Sequence, residues 1–151
     1  MQISARGDYA VRAALSLAAA YPSVLSAQTL AQDQDMPRKF LEAVLADLRR
    51  AGIVRAQRGA DGGYTLARTP DQVTIGSILR AVDGPLAGVR GLRPEQTQYV
   101  GAAKQLPKLW IALRAAVRDV VDEVSLAHVV SGELPAHVDR LTERPDAWLP
   151  R

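Results

Sequence analysis

Basic side chains gather in two neighbouring stretches of this chain, and both have the composition of an anion-binding surface. The first stretch contains Arg38 and Lys39 at one end and Arg49 and Arg50 at the other, and the second is a glycine-rich turn entered by Arg58. Guanidinium and ammonium groups donate to phosphate and carboxylate oxygens. The chemistry that these residues offer is therefore binding of an anionic partner.

The charge of the chain is unevenly distributed. Its formal net charge is +3 over 151 residues. Residues 1 to 68 carry nine Lys/Arg against six Asp/Glu, whereas residues 69 to 151 carry ten against ten. A basic N-terminal part beside a neutral C-terminal part indicates an anionic partner for the first and a different task for the second.

The composition gives little indication of an enzyme or of a metal-binding protein. The chain has no cysteine, which excludes disulfides, thiolate nucleophiles and Cys-ligated zinc or iron-sulfur clusters. His128 and His137 are nine residues apart, a spacing that matches no common ligand motif, and we expect both to be solvated. No nucleophile with an acid-base partner and no cofactor loop is visible, so we expect no catalytic residue, no metal and no cofactor.

Three helices are expected to position the basic stretches. An apolar stripe at spacings of three and four predicts the first from Arg6 to Tyr21. Ser26 is a natural N-cap for a short second helix. The third helix should have its cap at Asp35 or Met36 and Pro37 in its first turn, and Gly52 should end it.

The third helix has two distinct faces. The residues that recur at core spacing are Leu41, Val44, Leu45 and Leu48, with Phe40 at their flank. The opposite face consists of Lys39, Glu42, Ala43, Ala46 and Arg50. Two alanines among charged groups let a helix approach another surface closely while longer side chains reach past them, which suits a DNA major groove.

Residues 53 to 67 change to a strand pattern and predict a hairpin. The tip carries Gly59, Gly62 and Gly63, and Asp-Gly within it is a strong turn signal. The glycines do not indicate a phosphate-binding loop, because no Gly-Lys-Ser/Thr follows and no helix opens after them. Three helices followed by a two-stranded hairpin is the order of a winged helix-turn-helix.

The remaining chain predicts a short helix, a loop and a long helix. Ile75 to Val82 form the short helix, which completes a winged helix-turn-helix DNA-binding domain of residues 1 to 85. Residues 86 to 105 are predicted to be a linker or effector loop. A heptad seam follows without a break, comprising Leu106, Trp110, Leu113, Val117, Val120, Val124 and Ala127. The same helix of a second subunit is its expected partner, so residues 106 to 130 are assigned to dimerisation and residues 131 to 151 to an irregular tail.

Several motifs, taken together and in order, resemble the Rrf-two family of winged-helix transcription regulators over about Met1 to Ala127. They are Ser4 to Ala10, Phe40 to Glu42, Leu48 to Val54, Arg58 to Tyr64 and Ile78 to Leu86. The resemblance implies a dimer whose third helices enter successive major grooves, whose wings touch minor grooves and whose long helices cross.

The resemblance also implies roles for individual residues. Those that fall where the family contacts DNA are Pro37, Arg38, Lys39, Phe40, Glu42, Ala43 and, in the wing, Arg58. Many relatives hold an iron-sulfur cluster on three cysteines between the short and long helices, and residues 92 to 105 contain none here. Asp8 matches a further ligand position in some members, but without thiolates it is given no metal role. The chain resembles a cysteine-free branch.

The expected function is a sequence-specific DNA-binding regulator, a repressor, acting as a homodimer on a palindromic operator. The expected DNA contacts are Arg38, Lys39, Phe40, Glu42, Ala43, Arg50, Arg58, Gly59, Gly62 and Gly63, and the expected dimer contacts are Trp110, Leu113, Val117, Val120 and Val124. Tyr99 and Trp110 are candidates for a pocket that binds an unidentified small-molecule or protein effector, with packing of Trp110 in the dimer seam as the alternative reading.

A winged helix that binds a partner enzyme or regulator, and touches DNA only incidentally, is the alternative function. The short run from Ala13 to Ala20 is too weakly apolar for a secretion signal, so a cytoplasmic protein with no membrane partner is expected.

Overall fold

Three helices form where the apolar periodicity predicts them. In a computed structural model that describes residues 2–150, α1 spans Ala5–Ala20, α2 spans Ala27–Asp33 and α3 spans Arg38–Arg50. The Ser4 hydroxyl accepts from the Gly7 amide at 2.8 Å and the Ser26 hydroxyl from the Thr29 amide at 3.0 Å, so serine caps start the first two helices.

The start of α3 lies slightly later than expected. Pro37 is the N-cap and not a first-turn residue. Asp35 has a φ of +48°, and the Met36 amide donates to the Ala31 carbonyl at 2.9 Å, so the chain is still turning away from α2 at these two residues. Gly52, with a φ of +70°, follows the helix as predicted.

The core lies between α1 and α3. Small residues of α1, among them Ala10, Ala13 and Ala14, are fully buried and let α3 approach closely. Leu41, Val44, Leu45 and Leu48 fill the α3 side, as the sequence predicts. Burial of a leucine side chain contributes about 1.5–3 kcal/mol, so this face fixes how α3 packs on α1.

A two-stranded hairpin follows α3. β1 (Val54–Gln57) pairs antiparallel with β2 (Gly63–Leu66), in a register that sets Val54 opposite Leu66. Leu25 adds a short third edge: its amide donates to the Tyr64 carbonyl at 2.9 Å, and the Tyr64 amide donates back at 2.8 Å. This architecture of helices and a hairpin is the predicted winged helix-turn-helix.

The chain then continues through α4 (Ile75–Asp83) into a long connecting segment. Residues 86 to 105 carry no α-helix or strand, but 3₁₀ turns occur at Pro94–Gln96 and Gly101–Ala103. Pro94 and Thr97 are buried, so the first of these turns is anchored and not free.

The prediction of one long helix through Ala127 is wrong. α5 spans Leu106–Val121, and a separate α6 spans Leu126–Ser131. The break exists because the chain pairs with the segment before α4: the Ile75 amide donates to the Val124 carbonyl and the Leu126 amide to the Val73 carbonyl, each at 2.9 Å. Val124 is 6% exposed within its own protomer, so it has little surface left for a dimer seam.

The C-terminal tail is also more regular than expected. α7 spans Ala136–Thr142, with Val138 buried, and a 3₁₀ turn covers Pro145–Trp148. The two histidines have structural roles: His128 Nδ1 accepts from the Ser125 amide at 3.1 Å, and His137 Nε2 lies 2.8 Å from the Asp119 carbonyl oxygen. Among residues 2–150, no helix is both long and apolar enough to cross a membrane.

Candidate nucleic-acid interface

The outer face of α3 is exposed along its whole length. Lys39, Glu42, Ala43, Ala46 and Arg50 all lie on the solvent side, as their spacing predicts. The two alanines leave the middle of this face low, and the charged side chains stand on both sides of it. A helix of this kind can enter a major groove with polar groups in reach of base edges and phosphates.

Arg38 and Glu42 form an ion pair on this face. Arg38 Nε donates to Glu42 Oε1 at 3.1 Å, and both side chains are more than half exposed. Exposed pairs of this kind contribute little to stability, so either partner can exchange it for a DNA contact. Lys39 has no ion pair within residues 2–150 and is the free cation at the start of the helix.

Arg50 forms an ion pair with a buried residue, Asp47, that the sequence did not indicate as functional. Asp47 is buried, and its carboxylate accepts from Arg6 of α1 and pairs with Arg50 at 3.0 Å. Asp47 therefore neutralises part of the basic end of α3 and fastens α3 to α1. The available signal was its spacing, three residues after Val44 on the predicted core face.

A group of three contacting side chains, Tyr9, Arg12 and Phe40, supports the first turn of α3. The Phe40 ring is 56% exposed and lies 5.9 Å from the Tyr9 ring, and the Arg12 guanidinium lies 5.5 Å from the Tyr9 ring on α1. Arg12 also donates to the backbone carbonyl of Gln34, which stands in the turn between α2 and α3. These contacts hold α3 in a fixed direction relative to α1.

The hairpin tip is built from the predicted glycines. The Gly62 amide donates to the Gly59 carbonyl at 3.0 Å, and Gly59 has a φ of +108°, which residues with a side chain rarely adopt. A Cβ on Gly63 would collide with the Leu25 carbonyl, so this close approach requires glycine. Arg58 is exposed beside the tip and has no ion pair in the described part of the chain.

The expected dimer residues lie along a groove. Leu113, Val117 and Val120 line an apolar cavity of about 530 Å³ together with Leu79 and Pro85. No residue of α5 is buried in the isolated chain. Val124 does not line this cavity, because it is buried within its own protomer.

Tyr99 and Trp110, the candidate effector residues, are in contact with each other. Trp110 Nε1 donates to the Tyr99 hydroxyl at 3.2 Å, and the Arg90 guanidinium lies 5.8 Å from the Tyr99 ring. Trp110 lines a cavity of about 360 Å³ with Arg90 and Leu113. Because Leu113 also belongs to the predicted dimer seam, this geometry is compatible with both hypotheses for Trp110, the effector pocket and the seam.

Comparison with known proteins decides the family. The Rrf2 family model, described as an iron-dependent transcriptional regulator, matches residues 3–132. This chain belongs to the Rrf2 family. The resemblance inferred from the motifs is therefore confirmed, and this Rrf2 regulator is a member of a family of transcription regulators and not of enzymes.

Relatives match over nearly the whole chain. Protein Rv1287 of Mycobacterium tuberculosis is 43% identical over 144 residues, which are 95% of this chain and 89% of Rv1287. The HTH-type transcriptional regulator CymR of Bacillus subtilis is 35% identical over 142 residues, which are 91% of this chain and 98% of CymR.

Solved structures confirm the fold. CymR (YrzC), described as the global cysteine regulator of B. subtilis, superposes with a TM-score of 0.74 at 33% identity, covering 87% of this chain and 98% of that one. The IscR of T. potens superposes with a TM-score of 0.68 at 26% identity, covering 100% and 93%. The helix-turn-helix regulator class and DNA as its partner follow from family and fold together.

The iron implied by the family description does not fit the residues of this chain. The sequence has no cysteine, and Glu95 is the single acidic residue between 86 and 105. Asp8 pairs with Arg12 at 3.3 Å on the surface of α1. In the part of the chain that the structure describes, no group of three His, Cys, Asp or Glu side chains stands close enough to hold a metal ion. An iron-sulfur cluster needs cysteine thiolates, which this regulator does not have.

Proposed function

We propose that this Rrf2 regulator represses transcription as a homodimer that binds a palindromic operator, without an iron-sulfur cluster. The single observation that carries the proposal is α5, a helix of 16 residues with many apolar side chains and none buried within its own chain. A continuous apolar surface of this kind is typical of an interface.

A second copy of the chain is the occupant that suits the groove. Leu113, Val117 and Val120 present an apolar ridge, and the groove beside it is lined by apolar groups such as Leu79 and Pro85. In a two-fold dimer the same patch serves both subunits, so each α5 can pack against the seam of its partner. The proposed interface consists of Trp110, Leu113, Val117 and Val120.

Two-fold symmetry then determines the operator. It would present two α3 helices to one side of the duplex, about one helical turn or roughly 10 bp apart, or a multiple of that distance. The preferred site is therefore an imperfect palindrome, with each α3 in a major groove. Arg58 at the hairpin tip would enter the flanking minor groove, where narrow A·T-rich DNA has a strong negative potential.

Different residues of α3 would contact different bases and phosphates of the operator. Lys39 and Arg38 can donate to guanine, Glu42 can accept from cytosine, and Ala43 and Phe40 can contact a thymine methyl group. Arg50, held by Asp47, suits a phosphate contact that fixes the register. Gly59, Gly62 and Gly63 would let the hairpin backbone come close to the DNA.

Repression follows from occupancy, because a dimer that covers a promoter excludes polymerase without a further contact. Such a regulator acts where the DNA is, so we place it in the cytoplasm. Tyr99 and Trp110 remain the proposed lining of an effector pocket for a small molecule or protein.

Lys39→Ala tests direct readout. We expect it to change which bases are preferred, at a cost of about 1–3 kcal/mol at the contacted base pair. Fluorescence anisotropy with the upstream region of the protein's own gene and with single-base variants of that duplex measures the change. Lys104→Ala is the matched control, because Lys104 is an exposed lysine outside α3 and the hairpin, and it should bind as the wild type does.

Arg58→Ala tests the wing. It should weaken binding to operator and scrambled duplexes alike and reduce the slope of log K against log salt by about one unit per subunit. Arg140→Ala, which removes an exposed arginine on α7, should leave the slope unchanged. If Lys39→Ala and Arg58→Ala both bind every duplex as the wild type does, a winged helix used for partner binding replaces this reading.

A further inference from the structure

A polar cleft lies across the Gly84 to Gly88 segment from the apolar groove of Leu113, Val117 and Val120. It is separate from the DNA-contacting elements. Its volume is about 400 Å³, and it lies between α4, α5 and the 3₁₀ turn at Pro94–Gln96. Its charged lining consists of Arg80, Arg93, Arg114, Arg118 and Glu95. Four guanidinium groups against one carboxylate make this a strongly cationic concave surface.

Two of the four arginines are already compensated. Arg80 pairs with Asp122 at 2.8 Å, and Arg114 pairs with Glu95 at 2.6 Å. Arg93 and Arg118 have no ion pair within residues 2–150. The cleft therefore holds two guanidinium groups without an ion pair in the described chain, of which Arg93 is close enough to Glu95 to interact with its charge.

The Arg114 side chain is held firmly in the wall of the cleft. It is 15% exposed, and its partner Glu95 stands in a turn anchored by the buried Pro94. A backbone hydrogen bond lowers the pKa of Glu95, and the hydrogen bond and charge of Arg114 and the charge of Arg93 lower it further against partial desolvation. Glu95 is therefore ionised at neutral pH and competes with any anion that enters.

We propose that this cleft binds a small organic dianion, a dicarboxylate or a phosphate monoester, whose oxygens accept from Arg93 and Arg118. Guanidinium groups bind both kinds of oxygen through paired N–H donors. The wall formed by Pro85, Leu86 and Gly88 is largely apolar and suits a short carbon skeleton. A volume of this size falls in the range of small-metabolite sites.

The position of the cleft gives the ligand a regulatory role, and this step rests on the proposed function. Arg80 belongs to α4, which packs on α1 and α3, whereas Arg114 and Arg118 belong to α5, which carries the proposed dimer surface. A dianion held by Arg93, in the segment that joins α4 to α5, and by Arg118 of α5 would change how these two helices sit relative to each other. The spacing of the two α3 helices, and with it operator affinity, would change too.

Isothermal titration of the full-length protein without DNA tests the site. The probes are succinate and inorganic phosphate, with sodium chloride at matched ionic strength and uncharged succinamide as controls. At least one dianion should bind saturably with a Kd of about 1 mM or tighter. Succinate alone would identify a dicarboxylate site and phosphate alone a phosphate monoester site.

Three variants make the assignment specific. Arg93→Gln/Arg118→Gln should raise the Kd at least tenfold, and Arg140→Gln/Arg144→Gln, the same charge change outside the cleft, should leave it unchanged. Glu95→Gln should tighten binding, because it removes the competing carboxylate. Absence of saturable binding by both dianions, or equal binding by Arg93→Gln/Arg118→Gln and the wild type, overturns the site.

Operator binding measured with and without the binding dianion tests the regulatory step separately. We expect operator affinity to change several-fold in the wild type and not in Arg93→Gln/Arg118→Gln. Dianion binding with unchanged operator affinity would refute the regulatory role and leave the site standing. Failure to bind any operator would instead refute the proposed function.

Discussion

The N-terminal lobe, which consists of α1 to α4 and the hairpin, differs from α5 in how much of its apolar surface is buried within the protomer. In the lobe, α1 and α3 bury Leu17, Leu41, Leu45 and Leu48 completely. In α5, Leu109, Ile111 and Leu113 are exposed and no residue is buried. The lobe therefore needs only residues of its own chain, including Leu126 of α6 in the same core, to hold α3 in place. In contrast, α5 has apolar surface that the isolated chain leaves in water.

This difference separates two kinds of residue that look alike in sequence. Leu48 and Val117 both lie on apolar helical stripes, yet one contributes to folding of the protomer and the other is free for a second subunit. A change in the lobe should act on unfolding, and a change on α5 should act on association.

The largest expected effect comes from Val117→Asp. In the proposed dimer it places an unpaired carboxylate from each subunit in the interface, at a cost of about 3–5 kcal/mol. Light scattering should find monomer or aggregate where the wild type is a dimer, and Val120→Asp should behave in the same way. Ala115→Asp, on the exposed opposite side of α5, is the control and should remain dimeric. A wild-type monomer at micromolar concentration would refute the dimer.

Asp47→Asn should have a smaller effect, on the lobe alone. It removes the carboxylate that pairs with Arg6 and Arg50. Because both arginines are largely solvated, we expect a loss of about 1–2 kcal/mol in the free energy of unfolding, measured by urea titration at fixed protein concentration. Asp61→Asn, at the exposed hairpin tip, should change nothing. An unaltered midpoint for Asp47→Asn would show that the pair does not fasten α3 to α1.

Iron should affect neither the association of α5 nor the DNA binding of the N-terminal lobe. Because the chain has no thiolate, protein purified without oxygen should be colourless, and its operator affinity should not respond to nitric oxide or to iron supply. Visible absorption and iron content measure the first expectation, and anisotropy measures the second. Stoichiometric iron with cluster absorption would show that this chain holds a cluster without thiolate ligands.

The lobe could be predicted from sequence because its signals are local. The two faces of α3 follow from spacing, and the hairpin follows from glycines that the turn geometry requires. Asp47 was missed because its partner Arg6 is 41 residues away on another helix. Periodicity places Asp47 near the core but does not reveal the charge that compensates it.

The C-terminal part was predicted less well because long-range hydrogen bonds override its pattern. The heptad spacing runs through Val124, but the backbone there pairs with residues 73 to 75 and ends the helix. α7 has seven residues, too few for a clear period in a tail that contains three prolines. The arginine cleft was invisible because its residues come from three separate segments.

The most direct test is to count the protein chains bound to one operator. We propose that two chains, joined through α5, bind each operator with their N-terminal lobes. Native mass spectrometry would be applied to the wild type and Val117→Asp on the full operator and on a single half-site. We expect two wild-type chains per full operator, and only weak binding of single Val117→Asp chains to either duplex. One wild-type chain per operator, with an affinity that Val117→Asp leaves unchanged, would contradict the account.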